Sequence, residues 1–260
     1  MRISLIQLDV KTGDTSANMS AVERHVCELA ASPEPPDVIT LPELWSTGYA
    51  LDRAASLASS GGEREAVFLG GLASRFRVAF AGGSVLALEG GHVFNRAQVI
   101  GKDGRLTARY DKIHLFRPMG EHLWLEPGAQ RTLFTLGGMR CACMICYDIR
   151  FPELARRLAL EGAEILFVSA EWPSPRIGQW EILLRARAVE NQMFVVACNR
   201  CGTSGAESFG GVSLIIAPDG TILARGGNGV EATSARIDTA QPSSLRRAFP
   251  VLDDRVPKAY

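Results

Sequence analysis

Apolar runs of strand length recur along the chain, with segments of helical periodicity between them. Ile3-Ser4-Leu5-Ile6-Gln7-Leu8 opens the series, and Val38-Ile39-Thr40-Leu41 reads as a buried strand. Val78 to Leu88 and His92 to Ile100 follow, split by Glu89-Gly90-Gly91, a hairpin signal. Leu106 to Phe116, Arg140 to Ile145, Glu164 to Ser169 and Met193 to Cys198 continue the pattern. Val212 to Ala217 and Ile222 to Arg225 flank Pro218-Asp219-Gly220, a turn. Helices are expected from Ser16 to Ala31, with Met19, Val22, Val26 and Leu29 at helical spacing, and from Gln179 to Gln192. Pro152 to Gly162 starts on Pro and ends on Gly, as a helix does. Alternating strands and helices, mixed with hairpins, predict an α/β layered fold. Gly61-Gly62 and Gly226-Gly227 read as loops, and no internal repeat is visible.

Length and charge narrow the function. A chain of 260 residues is expected to form one domain, with 241–260, rich in Pro and charge, as an extended C-terminal arm of the kind that packs on a partner subunit. Lys+Arg and Asp+Glu are both 28, so the formal net charge is zero. Such a chain carries no electrostatic footprint for nucleic acid or an anionic membrane, which points to a small-molecule or protein partner. No apolar run reaches membrane-spanning length, and the start shows no charged-then-apolar leader, so a cytoplasmic location is expected. Six cysteines are too sparse for a disulfide scaffold and are expected to be reduced.

Candidate chemistry centres on Met144-Ile145-Cys146-Tyr147-Asp148-Ile149-Arg150-Phe151-Pro152, where an apolar strand meets a turn and then a helix start. A cysteine so placed gains from the helix N-terminus and nearby cations, which favour the thiolate. The competing reading is a small buried core hydrophobe. Leu41-Pro42-Glu43 sets a carboxylate directly after a buried strand, and Tyr110-Asp111-Lys112-Ile113-His114 sets an ammonium within an apolar one. Neither side chain is commonly buried without a partner, although a solvated strand end is the more common case.

Together these three segments resemble, in residues and in order, the nitrilase superfamily of carbon–nitrogen hydrolases, and within it the omega-amidase branch. His114-Leu115-Phe116-Arg117, Gly120-Glu121-His122, Glu126-Pro127-Gly128, Glu171-Trp172-Pro173 with Arg176, and Arg187-Ala188-Val189-Glu190-Asn191-Gln192 carry the closer likeness. The resemblance implies a four-layer α-β-β-α sandwich, a Glu43-Lys112-Cys146 triad with Glu121 as the second glutamate, and no metal or cofactor. It implies hydrolysis of the terminal amide of a short 2-oxo acid such as 2-oxoglutaramate through a cysteine thioester, and a homodimer. Charge assigns the roles: Glu43 as base, Lys112 and the backbone N–H of Tyr147 toward the oxyanion, and Glu121 to hold the amide or orient Lys112 and Glu43. Arg176, after Trp172-Pro173-Ser174-Pro175, is the candidate for the distal carboxylate, as arginine binds carboxylate through a bidentate fork; Arg117 is next. Tyr147 and Trp172 are placed beside the substrate.

Alternatives within enzymes are an N-carbamoyl amide hydrolase, a nitrilase or another aliphatic amidase. Outside enzymes, Cys198-Asn199-Arg200-Cys201 with Cys141 and Cys143 suggests a zinc-stabilised interaction module, against which stands the short Cys141–Cys143 spacing. His114, two residues from Lys112 and so expected on the same strand face, is the one candidate for a Cys–His base.

Overall fold

The computed structural model describes residues 1–259. The first half of the chain supplies β1 (Arg2–Gln7), β2 (Val38–Thr40), β3 (Ser59–Ser60), β4 (Ala79–Glu89), β5 (His92–Ile100) and β6 (Leu106–Asp111). The second supplies β7 (Leu133–Leu136), β8 (Met139–Ile145), β9 (Ile165–Ala170), β10 (Phe194–Asn199), β11 (Cys201–Ser204), β12 (Glu207–Gly210), β13 (Leu214–Ile216), β14 (Ile222–Arg225) and β15 (Glu231–Arg236). Helices are α1 (Thr15–Ala30), α2 (Ala54–Leu57), α3 (Glu63–Phe76), α4 (Pro152–Leu160), α5 (Ile177–Asn191) and α6 (Gln241–Ala248).

Two sheets result, ordered β15-β1-β2-β4-β5-β6 and β14-β13-β10-β9-β8-β7, with β3 paired to β4 and β11-β12 as a separate ribbon. Each sheet has a parallel centre, β1-β2-β4 and β8-β9-β10, and antiparallel flanks. Parallel neighbours need crossovers, and helices supply them: α1 and α3 in the first sheet, α4 and α5 in the second. The sheets pack face to face, with β4 against β9 and β1 against β10. The layers are α-β-β-α, the sandwich the resemblance implied.

The strand pattern explains why both faces of each sheet are covered. In β1, Ile3 and Leu5 join the core between the sheets, while Ile6 joins the core beneath α1 and α3. Strands buried on both faces read as near-continuous apolar runs, as here. Ala79, Ala81 and Ala97 line the face toward the second sheet, where small side chains make room for Phe134 and Phe167. In β4 the ladder breaks between Ala81 and Ser84. Gly83 has φ +85°, and a Cβ there would lie 2.8 Å from Leu41 Cβ. Ser84 beyond the break donates its N–H to Pro42 O, and its hydroxyl oxygen accepts the Leu44 N–H at 2.9 Å. The bulge thus holds the loop that carries Glu43.

Two expectations need correction, and two elements are additional to those expected. The strand expected from Leu106 to Phe116 stops at Asp111: Lys112 N–H still reaches Asn95 O, but beyond it the N–H groups go to side chains, Ile113 to Tyr110 OH, His114 to Asp148 and Phe116 to Glu121. α3 was not foreseen, since Gly70-Gly71 interrupts its periodicity; Gly70 packs on Gly104, whose carbonyl oxygen would be 2.6 Å from a Cβ. The C-terminal stretch begins as α6 instead of an extended arm, with Pro242 in its first turn and Arg246 donating to Ala163 O and Asn191 O. The ribbon β11-β12 contains Cys201, so the C-x-x-C spans the exit of one strand and the start of another.

Candidate active site

Open α/β sheets bind ligands beyond the carboxyl ends of their parallel strands. Glu43 lies beyond β2, Cys146 beyond β8, Glu171 beyond β9, and Arg200 beyond β10. Lys112 follows β6 at the sheet flank. Two facing sheets therefore deliver acidic, basic and thiol groups to one end of the sandwich.

Glu43, Lys112 and Glu121 are fully buried and meet in one cluster. Lys112 Nζ donates to Glu43 Oε1 and to Glu121 Oε2, each at 2.7 Å. Burial works against its charge, but the Glu121 and Glu43 carboxylates outweigh it and hold the ammonium well above its ordinary pKa. Glu43 Oε1 also accepts from Tyr49 OH at 3.0 Å, and Glu43 Oε2 accepts the Glu171 N–H at 2.9 Å. Glu121 Oε2 further accepts the Phe116 N–H at 2.6 Å.

Asn95 on β5, unremarked in the sequence, completes the cluster. Its Nδ2 donates to Glu43 Oε1 at 2.8 Å and to Glu121 Oε1 at 2.9 Å. The two carboxylates are thus bridged twice, by the ammonium and by the amide. The signal that could have found it is a polar side chain in a strand otherwise buried, in Phe94-Asn95-Arg96-Ala97.

Cys146 opens a 3-10 turn, Cys146–Arg150, at φ +44°. Positive φ in a residue with a Cβ is costly, about 1–3 kcal/mol, and persists where neighbours enforce it. Asp148 is the enforcer: Oδ2 accepts Ile145 N–H at 3.0 Å and Tyr110 OH at 2.7 Å, and Oδ1 accepts His114 N–H at 3.0 Å. One carboxylate so ties the cysteine turn to the residues on either side of Lys112. His114 Nδ1 lies 2.8 Å from the same oxygen and its ring stacks on Phe151 at 3.6 Å. His114 therefore faces Asp148 while Lys112 faces the glutamates, and the same-face expectation fails because the strand has already ended.

The Cys146 thiol is held well above its ordinary pKa, first by burial and then by the Glu43 carboxylate, with Lys112 opposing. It rests as a thiol against a carboxylate able to take its proton. Its Sγ lies 3.9 Å from Glu171 O. Tyr147 N–H falls in the first turn of the short helix, where backbone donors lack helical acceptors.

A small cleft opens on Cys146, lined by Phe116, Tyr147, Arg150, Glu171, Trp172, Pro173 and Arg176. Tyr147, Trp172 and Arg176 thus share it with the cysteine. Arg176 sits 6.0 Å over the Phe116 ring, and Arg150 4.8 Å over Trp172. Arg117 is not in this cleft; it lines a neighbouring open groove with His114 and His122. Arg150, which the sequence did not single out, takes its place as the second cation. The remaining cysteines go elsewhere: Cys198 donates to Ile6 O at 3.3 Å and Cys141 to Met139 O at 3.5 Å. Among the described residues, no three His, Cys, Asp or Glu side chains are grouped as a metal site requires, so the four cysteines do not form the zinc cluster considered from the sequence.

The chain is 40% identical over 252 residues to a 2-oxoglutaramate amidase of Bacillus subtilis (strain 168), covering 97% of this chain and 96% of that one. It is 34% identical to the omega-amidase YafV of Escherichia coli (strain K12), covering 98% and 96%. A CN-hydrolase superfamily protein of Xanthomonas campestris, whose crystal structure carries an arsenic adduct in the active site, superposes with a TM-score of 0.91 at 31% identity, covering 98% and 97%. A mutant of the amidase from Nesterenkonia sp. AN1, with the acetamide moiety of fluoroacetamide added covalently at its active-site cysteine, superposes at 0.88 with 26% identity, covering 100% and 95%. Residues 2–247 match the carbon-nitrogen hydrolase family model, and the chain belongs to that family.

Proposed function

We propose that this hydrolase cleaves the terminal amide of a short 2-oxo acid, with 2-oxoglutaramate as the preferred substrate, through a thioester on Cys146. The observation that carries the chemistry is a buried thiol facing a carboxylate that is itself held by a buried ammonium. Glu43 takes the Cys146 proton as sulfur attacks the amide carbon. Negative charge on the former carbonyl oxygen faces Lys112 Nζ and the Tyr147 N–H, donors set in a water-poor site before the reaction begins; one such donor is typically worth about 3–4 kcal/mol. Glu43 returns the proton to nitrogen, the C–N bond breaks, and ammonia leaves. Water then gives its proton to Glu43, attacks the thioester and releases the acid, restoring the thiol. Glu121 orients Lys112 through their 2.7 Å contact, and no step calls on a metal or cofactor.

Substrate class follows from the cleft and from the relatives. Two guanidinium groups, Arg176 and Arg150, stand where a small anionic substrate would place its far end. The 2-oxoglutaramate amidase at 40% identity supports the same substrate. The test is an ammonia-release screen across 2-oxoglutaramate, 2-oxosuccinamate, glutamine, N-carbamoyl amino acids and simple nitriles. Arg176→Ala should lower kcat/KM for 2-oxoglutaramate by roughly 10–100-fold, the loss of one charge-assisted hydrogen bond, and spare an amide of equal length without the carboxylate. Equal losses on both would make Arg176 a support for the Trp172-Pro173 loop.

The same reading extends to assembly and location. Ile182 and Val189 are exposed on α5, at 69% and 50%, which supports a homodimer through that face, as sedimentation would show. Six free cysteines support the reducing cytoplasm. Among the described residues no helix is long and apolar enough to cross a membrane.

A further inference from the structure

Glu171 is a buried carboxylate that the triad leaves unused. Only 1% of it is exposed, and it lines the cleft beside Cys146. Its backbone already serves the site at both ends: N–H to Glu43 Oε2 at 2.9 Å, carbonyl oxygen to Cys146 Sγ at 3.9 Å. Its side chain is half satisfied. Oε2 accepts from Arg200 Nη1 at 3.0 Å, whereas Oε1 is buried with no hydrogen-bond partner. A buried acceptor without a donor is costly, and such groups persist where something else supplies the donor.

Arg200 is not that donor. It is fully buried, its Nη1 is on Glu171 Oε2, its Nε goes to Cys201 O and its Nη2 to Val10 O and Thr203 O, with the guanidinium 4.4 Å over the Phe209 ring. Glu171 lines the cleft beside Cys146, so a bound substrate can supply the donor there. In a terminal amide of an oxo acid, the N–H donors are the two on the scissile nitrogen. We propose that Glu171 is a further catalytic residue, whose Oε1 accepts a hydrogen bond from the scissile amide N–H and holds the nitrogen as it becomes ammonia. This rests on the amide hydrolysis proposed above. In the acylation step the S–C bond forms, the C–N bond breaks, and nitrogen takes its third proton from Glu43. Glu171 gives and takes no proton in that step; it accepts from an N–H that grows more acidic as nitrogen gains positive character.

The surroundings fit this task. Burial pushes the Glu171 carboxyl up to about 7, with Glu43 adding to the rise and Arg200 and Lys112 opposing it. Its acceptor strength is therefore greatest above neutral pH, where the carboxylate is ionised.

An amide and an ester of the same acid separate this role from a structural one, because an alkoxide leaving group has no N–H to hold. Short amides, 2-oxoglutaramate and simpler chain analogues, are compared with their methyl esters on wild type, Glu171→Gln and Glu171→Asp. Glu171→Asp keeps the charge opposite Arg200 and withdraws the oxygen. In both variants kcat/KM for the amide should fall by about 10–100-fold and that for the ester by less than about threefold, the effect of one charge-assisted hydrogen bond. Equal losses on amide and ester in Glu171→Asp would overturn the proposal and leave Glu171 as the partner of Arg200. Wild-type turnover of other amides but not of 2-oxoglutaramate would overturn the substrate assignment alone. A wild-type chain inert toward every amide would overturn both.

Discussion

Replacing Asn95 by Ala removes the amide that bridges Glu43 and Glu121. Hydrogen bonds to charged groups are worth about 1.5–3 kcal/mol each, and two are lost, at 2.8 and 2.9 Å. Both carboxylates keep other donors, however: Lys112 serves each, Tyr49 and the Glu171 N–H serve Glu43, and the Phe116 N–H serves Glu121. Asn95 Oδ1 has no partner, so removing it offsets part of the loss. The net destabilisation should sit near the lower bound, about 2–3 kcal/mol, which for a chain of this size lowers Tm by roughly 5–10 °C. Activity should fall further than stability, because the freed Glu43 no longer meets the thiol in one geometry; a misplacement of about 1 Å can cost about 10²-fold. Thermal unfolding gives the first quantity and kcat/KM on folded protein the second. A Tm within about 1 °C of wild type with kcat/KM within about twofold would refute the reasoning, and would mean that Lys112 alone sets the two carboxylates.

Other outcomes follow from the same contacts. Cys146→Ala should abolish turnover while Cys143→Ala, altered inside β8, should not, and intact-mass spectrometry with a slow substrate should find the acyl group on Cys146; an adduct on Cys143 or Cys198 would sink the assignment. Lys112→Met should cut the chemical step severely, and Lys112→Arg should not restore it, since a planar fork cannot occupy the place of a compact ammonium between two glutamates; near-wild-type rates in Lys112→Arg would make Lys112 a structural cation. A carboxyl whose pKa rises on folding, as at Glu171, keeps its proton in the folded chain after the unfolded chain has lost it. Stability from this group is therefore lost as pH climbs from about 4.5 to 7 and is level above. Urea unfolding at pH 5 and 7.5 should show a smaller decline in Glu171→Gln than in wild type.

The sequence made the frame legible because strands buried on both faces advertise themselves as continuous apolar runs. Glu43, Lys112, Glu121 and Cys146, the proposed catalytic groups, are legible through residue order and resemblance, since charges at the ends of apolar segments stand out against their neighbours. Asn95 did not stand out: a neutral amide inside a strand carries no periodic signal, and its importance comes from carboxylates 52 and 26 residues away. The stop of β6 at Asp111 was hidden for a related reason. Ile113, Leu115 and Phe116 look like strand, and only the distant Asp148 reveals where the His114 N–H goes. Glycine misled in α3, where Gly70 marks contact with the Gly104 backbone and not a break. Arg150 was passed over because its place in the cleft depends on how the turn after Cys146 winds.

In the proposed mechanism Glu43 and Lys112 hang from one sheet and Cys146 from the other, so neither sheet holds a complete set. Turnover therefore doubles as a gauge of how faithfully the two halves of the sandwich seat on each other. A slip between them too small to expose the core or change the secondary structure content would still part thiol from carboxylate. During refolding, the return of helix and strand signals should precede the return of activity, which waits for the last settling of sheet on sheet. The first sheet closes with β15 beside β1, pairing residues as distant in sequence as Arg2 and Arg236. Amide hydrolysis by the proposed site then waits on that long-range pairing as well.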